Sequence, residues 1–173
     1  DIFNRRRSKL VMHTSRSEPL DRRSHAAAMR YMSDLHPRAL FVAYVETDDH
    51  AHDRRYDKVL DAIHAIDRNL GELWAAAQAD PATHGRTTLL LTADHGRGSG
   101  KDWTDHGRDV PGAGEIFLAA LGPAFPAMGE ARGGTSYQQA QVAATVAAAV
   151  GLDFRAAVPR AAAAVTGGAP WGL

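Results

Sequence analysis

Two apolar runs of strand length, separated by one long amphipathic helix, predict an α/β fold with a mostly parallel sheet flanked by helices. Residues 39–45 (Ala-Leu-Phe-Val-Ala-Tyr-Val) and 87–93 (Thr-Thr-Leu-Leu-Leu-Thr-Ala) are almost continuously apolar or β-branched, as strands buried on both faces are. Between them Val59, Ile63, Ile66, Leu70 and Leu73 recur at spacings of 4, 3, 4 and 3, one stripe of a helix from about 54 to 79. Strand, helix and strand make a βαβ crossover, right-handed in about 98% of cases. Both strands then run parallel and end on the same edge of the sheet.

The remaining elements follow from local signals. Residues 1–20 mix Arg, Ser and Pro without a sustained period and read as loop. From about 19 to 35 the Ala- and Arg-rich stretch, with Ala26, Met29, Tyr31 and Met32 as its apolar positions, predicts a helix that His36-Pro37 ends. Residues 46–52 form a polar loop, and Asp80-Pro81 stops the long helix. Residues 96–114 hold six glycines and no period, a long loop of the functional kind. A third strand is expected over 115–121, closed by Gly122-Pro123. The last clear helix spans 136–150: Thr135 with Gln138 and Ser136 with Gln139 fit capping boxes, Val142, Val146 and Ala149 make its buried stripe, and Gly151 suits its C-terminal cap. Residues 156–173 form an Ala/Gly/Pro-rich tail expected to fray, leaving 1–155 as part of a single α/β domain.

Composition narrows the chemistry. The 173 residues carry a formal net charge of zero, so no overall field draws the chain to nucleic acid or to an anionic membrane. Arginines crowd the first forty residues, but Tyr31 is the one aromatic side chain among Arg5 to Arg38, too few for the stacking that a single-stranded nucleic-acid surface uses. Cysteine is absent, which excludes disulfides, thiolate ligands and a Cys nucleophile; any metal must be held by N and O donors. No apolar run reaches the roughly 20 residues of a membrane span, and no signal peptide is legible. The compartment stays open. The chain begins at Asp1 rather than Met, and the expectation is of a processed or truncated chain.

The strand over 87–93 stops on Asp94-His95-Gly96, and eleven residues after His95 comes His106. Asp48 and His52, four residues apart, follow the first strand. If a helix extends back to Asp48, this pair shares a face. Asp48, His52, Asp94 and His95 thus converge where open α/β sheets bind ligands, beyond the carboxyl ends of the strands. Taken singly each has a bland reading: polar surface for Asp48 and His52, and for Asp94 a strand-end cap accepting backbone N–H groups. Taken together, two carboxylates and three imidazoles suit zinc, with manganese or iron as alternatives. Two metals about 3.5–4 Å apart can clamp the attacking and leaving oxygens of a phosphoryl transfer. Five side chains do not fill two tetrahedral sites, so further donors must come from substrate, water or residues outside this chain.

The array resembles the second half of the alkaline phosphatase superfamily, which includes phosphatases, phosphodiesterases, sulfatases and cofactor-independent phosphoglycerate mutases. The resemblance covers about residues 39–122, with Thr-Ala-Asp-His-Gly at 92–96 and a second His-Gly at 106–107 as its most specific signal. It implies that Asp48, His52 and His106 hold one metal and Asp94 and His95 the other, both divalent, for hydrolysis of a small-molecule phosphate or sulfate ester. It implies a two-step displacement in which a Thr or Ser takes the phosphoryl group and water then removes it. The family's strand ending in a metal-binding Asp and that Thr or Ser has no counterpart before residue 39; Ser8, Thr14, Ser15 and Ser17 lie in Arg-rich loop. The expectation is therefore a partial domain lacking its N-terminal strands, inactive alone, whose missing part is its partner. The family admits a periplasmic or secreted location.

Arg97, Lys101 and Arg108 are candidates for binding the substrate anion, with solvated loop charge as the competing reading. Residues 96–102 also invite a phosphate-loop reading, but only three residues separate Gly96 from Gly100, and Asp102 stands where a Ser or Thr should hold magnesium. His50 is the closest competitor to His52 as a ligand, the choice resting on the family's spacing; Asp49, Asp53 and Asp105 are similarly close decoys, with Asp105 a candidate for orienting a ligand. The alternatives to the hydrolase are a non-catalytic metal- or anion-binding module and a nucleotide-binding module built on residues 96–102.

Overall fold

The computed structural model describes residues 19–130 and 136–165. Five helices and one two-stranded sheet make up its regular structure: α1 (Leu20–Leu35), α2 (Glu46–His52), α3 (Tyr56–Ala79), β1 (Leu89–Thr92), β2 (Leu118–Leu121), α4 (Val142–Ala149) and α5 (Phe154–Ala157), with 3-10 turns at Gly100–Asp102 and Gln139–Gln141. The expected loop over residues 1–18 and the cap at Thr135 lie outside the described residues.

Helices and a small sheet are compatible with an α/β fold, but the sheet is not parallel. β1 and β2 pair antiparallel, Leu89 opposite Leu121 and Thr92 opposite Leu118. Gly122 makes the turn behind β2 at φ 121°, and a Cβ there would lie 2.4 Å from the Thr87 carbonyl oxygen, so only glycine fits. The expected strand over 39–45 is a second correction: it has no ladder partner among the described residues, and its burial alternates. Val42 and Tyr44 are half-buried while Phe41 is 90% exposed. An apolar run lacking strands on both sides cannot bury both faces, and here only one face meets the helices. The third strand is also shorter than the expected 115–121: the turn occupies 111–114, and residues 115–117 run outside the ladder before β2 begins at Leu118.

α1 ends as expected: His36 takes the left-handed conformation (φ 43°), its N–H returning to the Met32 carbonyl, and Pro37 follows. Its buried residues are Asp21, His25, Ala27 and Ala28 rather than the expected stripe; Ala26 is exposed. The cause is polar. His25 Nε2 lies 2.9 Å from Glu72 Oε2 on α3 and its Nδ1 3.3 Å from the Tyr44 hydroxyl, so the face that packs is the one carrying this network. Burial, with the nearby Asp21 charge, pushes the Tyr44 phenol above its usual value of 10.0 and keeps it a donor.

Residues 46–52, expected as loop, form the short helix α2. Seven residues are too few to be stable alone, so tertiary contacts hold this helix. Asp21 caps it from α1: the N–H of Val45 donates to Asp21 Oδ1 at 2.7 Å and that of Glu46 to both carboxylate oxygens at 3.4 and 3.3 Å. Glu46 returns the favour, its Oε1 accepting the Asp21 N–H at 3.1 Å. Ala51 is fully buried, with α2 packed on α3, and Arg54, at φ 59°, reverses the chain between them. α3 matches the expected helix to within two residues at its start, although Ile63 on its stripe is exposed and Ala62, Leu73 and Ala77 are the fully buried positions.

The last helix is split into a 3-10 turn and α4, and its capping box is Gln138 with Gln141. Ala144, Thr145 and Ala147 are buried in place of the expected Val142, Val146 and Ala149. Thr145 decides this: its hydroxyl donates to the Gln141 carbonyl at 2.7 Å and accepts the Val165 N–H at 2.8 Å, so the tail up to residue 165 packs on α4 rather than fraying. No helix among the described residues is long and apolar enough to cross a membrane.

Asp21 gives a testable consequence. Burial raises its carboxyl above the usual 3.8, outweighing the lowering by the Val45 and Glu46 N–H groups. A raised folded-state value means the folded chain holds the proton where the unfolded chain has lost it. Asp21's contribution to stability is then full below 3.8 and falls as pH rises through the folded value. Asp21→Ala is expected to cost about 1–2 kcal/mol as two N–H donors lose their acceptor. Denaturant melts over a pH series should show that loss shrinking as pH rises past about 4.

Candidate metal centre

α2 places Asp48 and His52 one turn apart on the same face, and the loop after β1 brings His106 to them. Their donor atoms form a cluster able to hold a cation: all lie within 4.8 Å of one another. His52 Nε2 is 3.0 Å from His106 Nε2 and 3.4 Å from Asp48 Oδ2, and His106 Nε2 is 3.6 Å from Asp48 Oδ1. Zinc–ligand lengths of about 2.0–2.1 Å put the donors of a tetrahedral site about 3.3 Å apart. The two distances to Asp48 run to different carboxylate oxygens, so with one oxygen as the third donor the set lies within 4.8 Å and closes on a small divalent ion by side-chain adjustment. His52, not its neighbour His50, joins this cluster.

His95 borders the cluster. Its ring stacks on His106, centroids 3.8 Å apart at 11°, and its Nε2 lies 3.7 Å from Asp48 Oδ1. His95 Nδ1 faces the Gly96 carbonyl at 3.0 Å. A carbonyl only accepts, so Nδ1 is the donor of this bond, which leaves Nε2, 3.7 Å from Asp48 Oδ1, for other partners. Asp94 stands apart: its side chain is 86% exposed, Oδ1 accepts the His95 N–H at 3.1 Å, and the same oxygen is 3.8 Å from His95 Nε2. The strand-end cap is therefore present, and it leaves the other carboxylate oxygen free of that bond. Gln139 pins the backbone here, its amide donating to the Asp94 carbonyl at 2.8 Å.

The glycine of Asp-His-Gly has a steric cause. The Gly96 N–H donates to the Ala113 carbonyl at 2.8 Å, and a Cβ on Gly96 would lie 2.4 Å from the carbonyl oxygens of both Gly112 and Glu115. The loop thus doubles back against its own start, and a second bond from the Gly98 N–H to the Asp105 carbonyl, 2.9 Å, sets His106 beside α2. Asp105 serves the site through that carbonyl. Trp103 packs edge-on against Tyr56, 5.5 Å between centroids, joining the loop to the start of α3.

Of the candidate anion binders, Arg97 is turned inward and ion-paired with Asp48. Lys101, on the 3-10 turn, and Arg108 are exposed. The helix-to-helix cap by Asp21 and the tie from Gln139 carry no local spacing signal, because the partners are 24–25 and 45 residues apart.

The sequence pattern described as the Metalloenzyme superfamily matches residues 9–152. No curated protein and no solved structure matches the chain.

Gly96→Ala is expected to destabilise the chain by about 1–3 kcal/mol, the range for forcing an extra carbon into a packed site. Gly114→Ala is the control, since nothing lies within 4 Å of its would-be Cβ. Equal denaturation midpoints for the two variants would remove the steric account of Gly96.

Proposed function

This chain belongs to the Metalloenzyme superfamily, itself part of the alkaline phosphatase-like superfamily, and from that premise we propose that it carries most of a two-metal centre for hydrolysing phosphoric, or sulfuric, esters. The family gives metal-dependent catalysis. The finer reading assigns one divalent ion, zinc in preference to manganese or iron, to Asp48, His52 and His106, and a second to Asp94 and His95. The clustering of the first three donor sets within 4.8 Å is the observation that carries it.

The divalent ions would supply Lewis-acid stabilisation of charge on the ester oxygens and activation of the attacking oxygen. The chain's own residues do the holding. Asp48 and His52 present donors from one helical face; His106 and His95 stack so that their Nε2 atoms both face Asp48. The Gly96 carbonyl engages His95 Nδ1 and leaves Nε2 for other partners. Asp94, with one oxygen still open, sits at the exposed side of the site, where a small ester enters. The Thr or Ser nucleophile and the remaining donors are assigned to a segment upstream of residue 1, which makes this chain the C-terminal part of the catalytic domain.

Two measurements test the reading. Isothermal titration with zinc or manganese should show binding that His106→Ala or His52→Ala weakens by more than about 100-fold, beyond the 10–100-fold typical of residues that merely support a ligand. A chain extended upstream should hydrolyse p-nitrophenyl phosphate only with divalent metal, and His95→Ala should abolish that turnover. Full activity of the extended His95→Ala protein would sink the assignment. Metal binding without turnover in the extended chain would instead favour a non-catalytic metal-binding module.

A further inference from the structure

We propose that Arg97 is a positioning residue of the metal centre, holding the Asp48 carboxylate and the segment that carries His106 in register, rather than a binder of the substrate anion. The inference rests on reading Asp48, His52 and His106 as metal ligands.

The guanidinium bonds acceptors on two separate segments. One terminal nitrogen donates to the Thr104 carbonyl at 2.8 Å, two residues before His106. The other pairs with Asp48 Oδ1 and reaches the Asp48 backbone carbonyl at 3.4 Å. Thr104 is buried, and the Arg97 side chain is only 21% exposed. A substrate-binding arginine would turn free donors toward solvent; here both terminal nitrogens are committed to protein oxygens.

The charge arrangement agrees with this role. An ionised carboxylate offers about four lone-pair sites over its two oxygens. Arg97 takes one on Oδ1, the oxygen that also lies 3.6 Å from His106 Nε2, and leaves Oδ2, 3.4 Å from His52 Nε2, to the cluster. The cation therefore orients the carboxylate without consuming it. A planar fork is needed to join Thr104 and Asp48 at once; a lysine ammonium supplies charge on a flexible stem but not that geometry.

Cobalt(II) as the probe metal makes the test independent of catalysis, because its visible absorption reports both occupancy and ligand geometry. Wild type, Arg97→Gln and Arg97→Lys are titrated with cobalt, and each is titrated with inorganic phosphate. Arg97→Gln is expected to raise the cobalt Kd at least about tenfold and to change the band shape, with Arg97→Lys recovering only part of the affinity. If Arg97→Gln fails to fold, Arg97→Lys carries the measurement and a weakened Kd is still expected. Cobalt Kd within twofold of wild type with an unchanged band would overturn the proposal, whether the variant melts lower or not. Unchanged cobalt binding with weakened phosphate binding would overturn it in favour of anion recognition. Failure of wild type itself to bind cobalt would remove the metal-ligand reading and this inference with it.

Discussion

The Asp48 carboxylate is the group on which the other parts of the site depend. Its two oxygens face His52, His95 and His106 at 3.4–3.7 Å and pair with Arg97. Its support is unusual because α2, the helix that carries it, is seven residues long. So short a helix gains little from its own hydrogen bonds. Its position comes from outside: the Asp21 cap at one end, the buried Ala51 against α3 at the middle, and the left-handed Arg54 at the other end. The two helices are tied together at their starts through Asp21 and Glu46. The first two candidate ligands are therefore referenced to α1 and α3 rather than to the sheet.

Much of this was legible in the sequence, and what was not has identifiable causes. α1 and α3 are long enough for composition and period to speak, and the His36-Pro37 stop is purely local, so these elements match the expectation closely. Residues 39–45 and 46–52 do not. An apolar run reads as strand only if neighbours complete the ladder, and partner strands are a property of the whole fold; here the run has no ladder partner among the described residues, and Phe41 is in solvent. α2 was hidden because its sequence, Glu-Thr-Asp-Asp-His-Ala-His, is polar and lacks a local cap; its cap lies 24 residues away on Asp21. The antiparallel pairing of β1 and β2 escaped for a related reason, since direction is set by the glycine-rich return between them and not by either strand's composition.

The candidate ligands themselves stood out because chemistry concentrates at element ends. Asp94 and His95 follow β1 after the single residue Ala93, and Asp48 and His52 obey helical spacing, so both pairs carry a geometric signal at short range. The environment of those residues did not. Arg97 is indistinguishable in sequence from the exposed Lys101 and Arg108, and only the folded loop shows it bound to Thr104 and Asp48. Gln139 is similarly invisible, a helix-start residue that reaches across 45 positions to hold the Asp94 carbonyl.

The two halves of the proposed centre differ in a way that follows from how the loop is built. Gly96 lets the chain pass so close to residues 112–115 that the loop closes on itself, and the Gly98–Asp105 bond closes a smaller ring inside it. Thr104 lies inside both closures and His106 just past the inner one, within the outer, and together they are set beside α2. Asp94 lies just before the closure and is 86% exposed. Under the two-metal reading the Asp48, His52 and His106 side is assembled from within this chain, while the Asp94 side is open and short of donors. An open side is where substrate, and the donors assigned upstream, would have to approach. A first site whose donors are already gathered, beside a more exposed second one short of donors, is thus the arrangement expected if one metal is held as part of the scaffold and the other faces the chemistry.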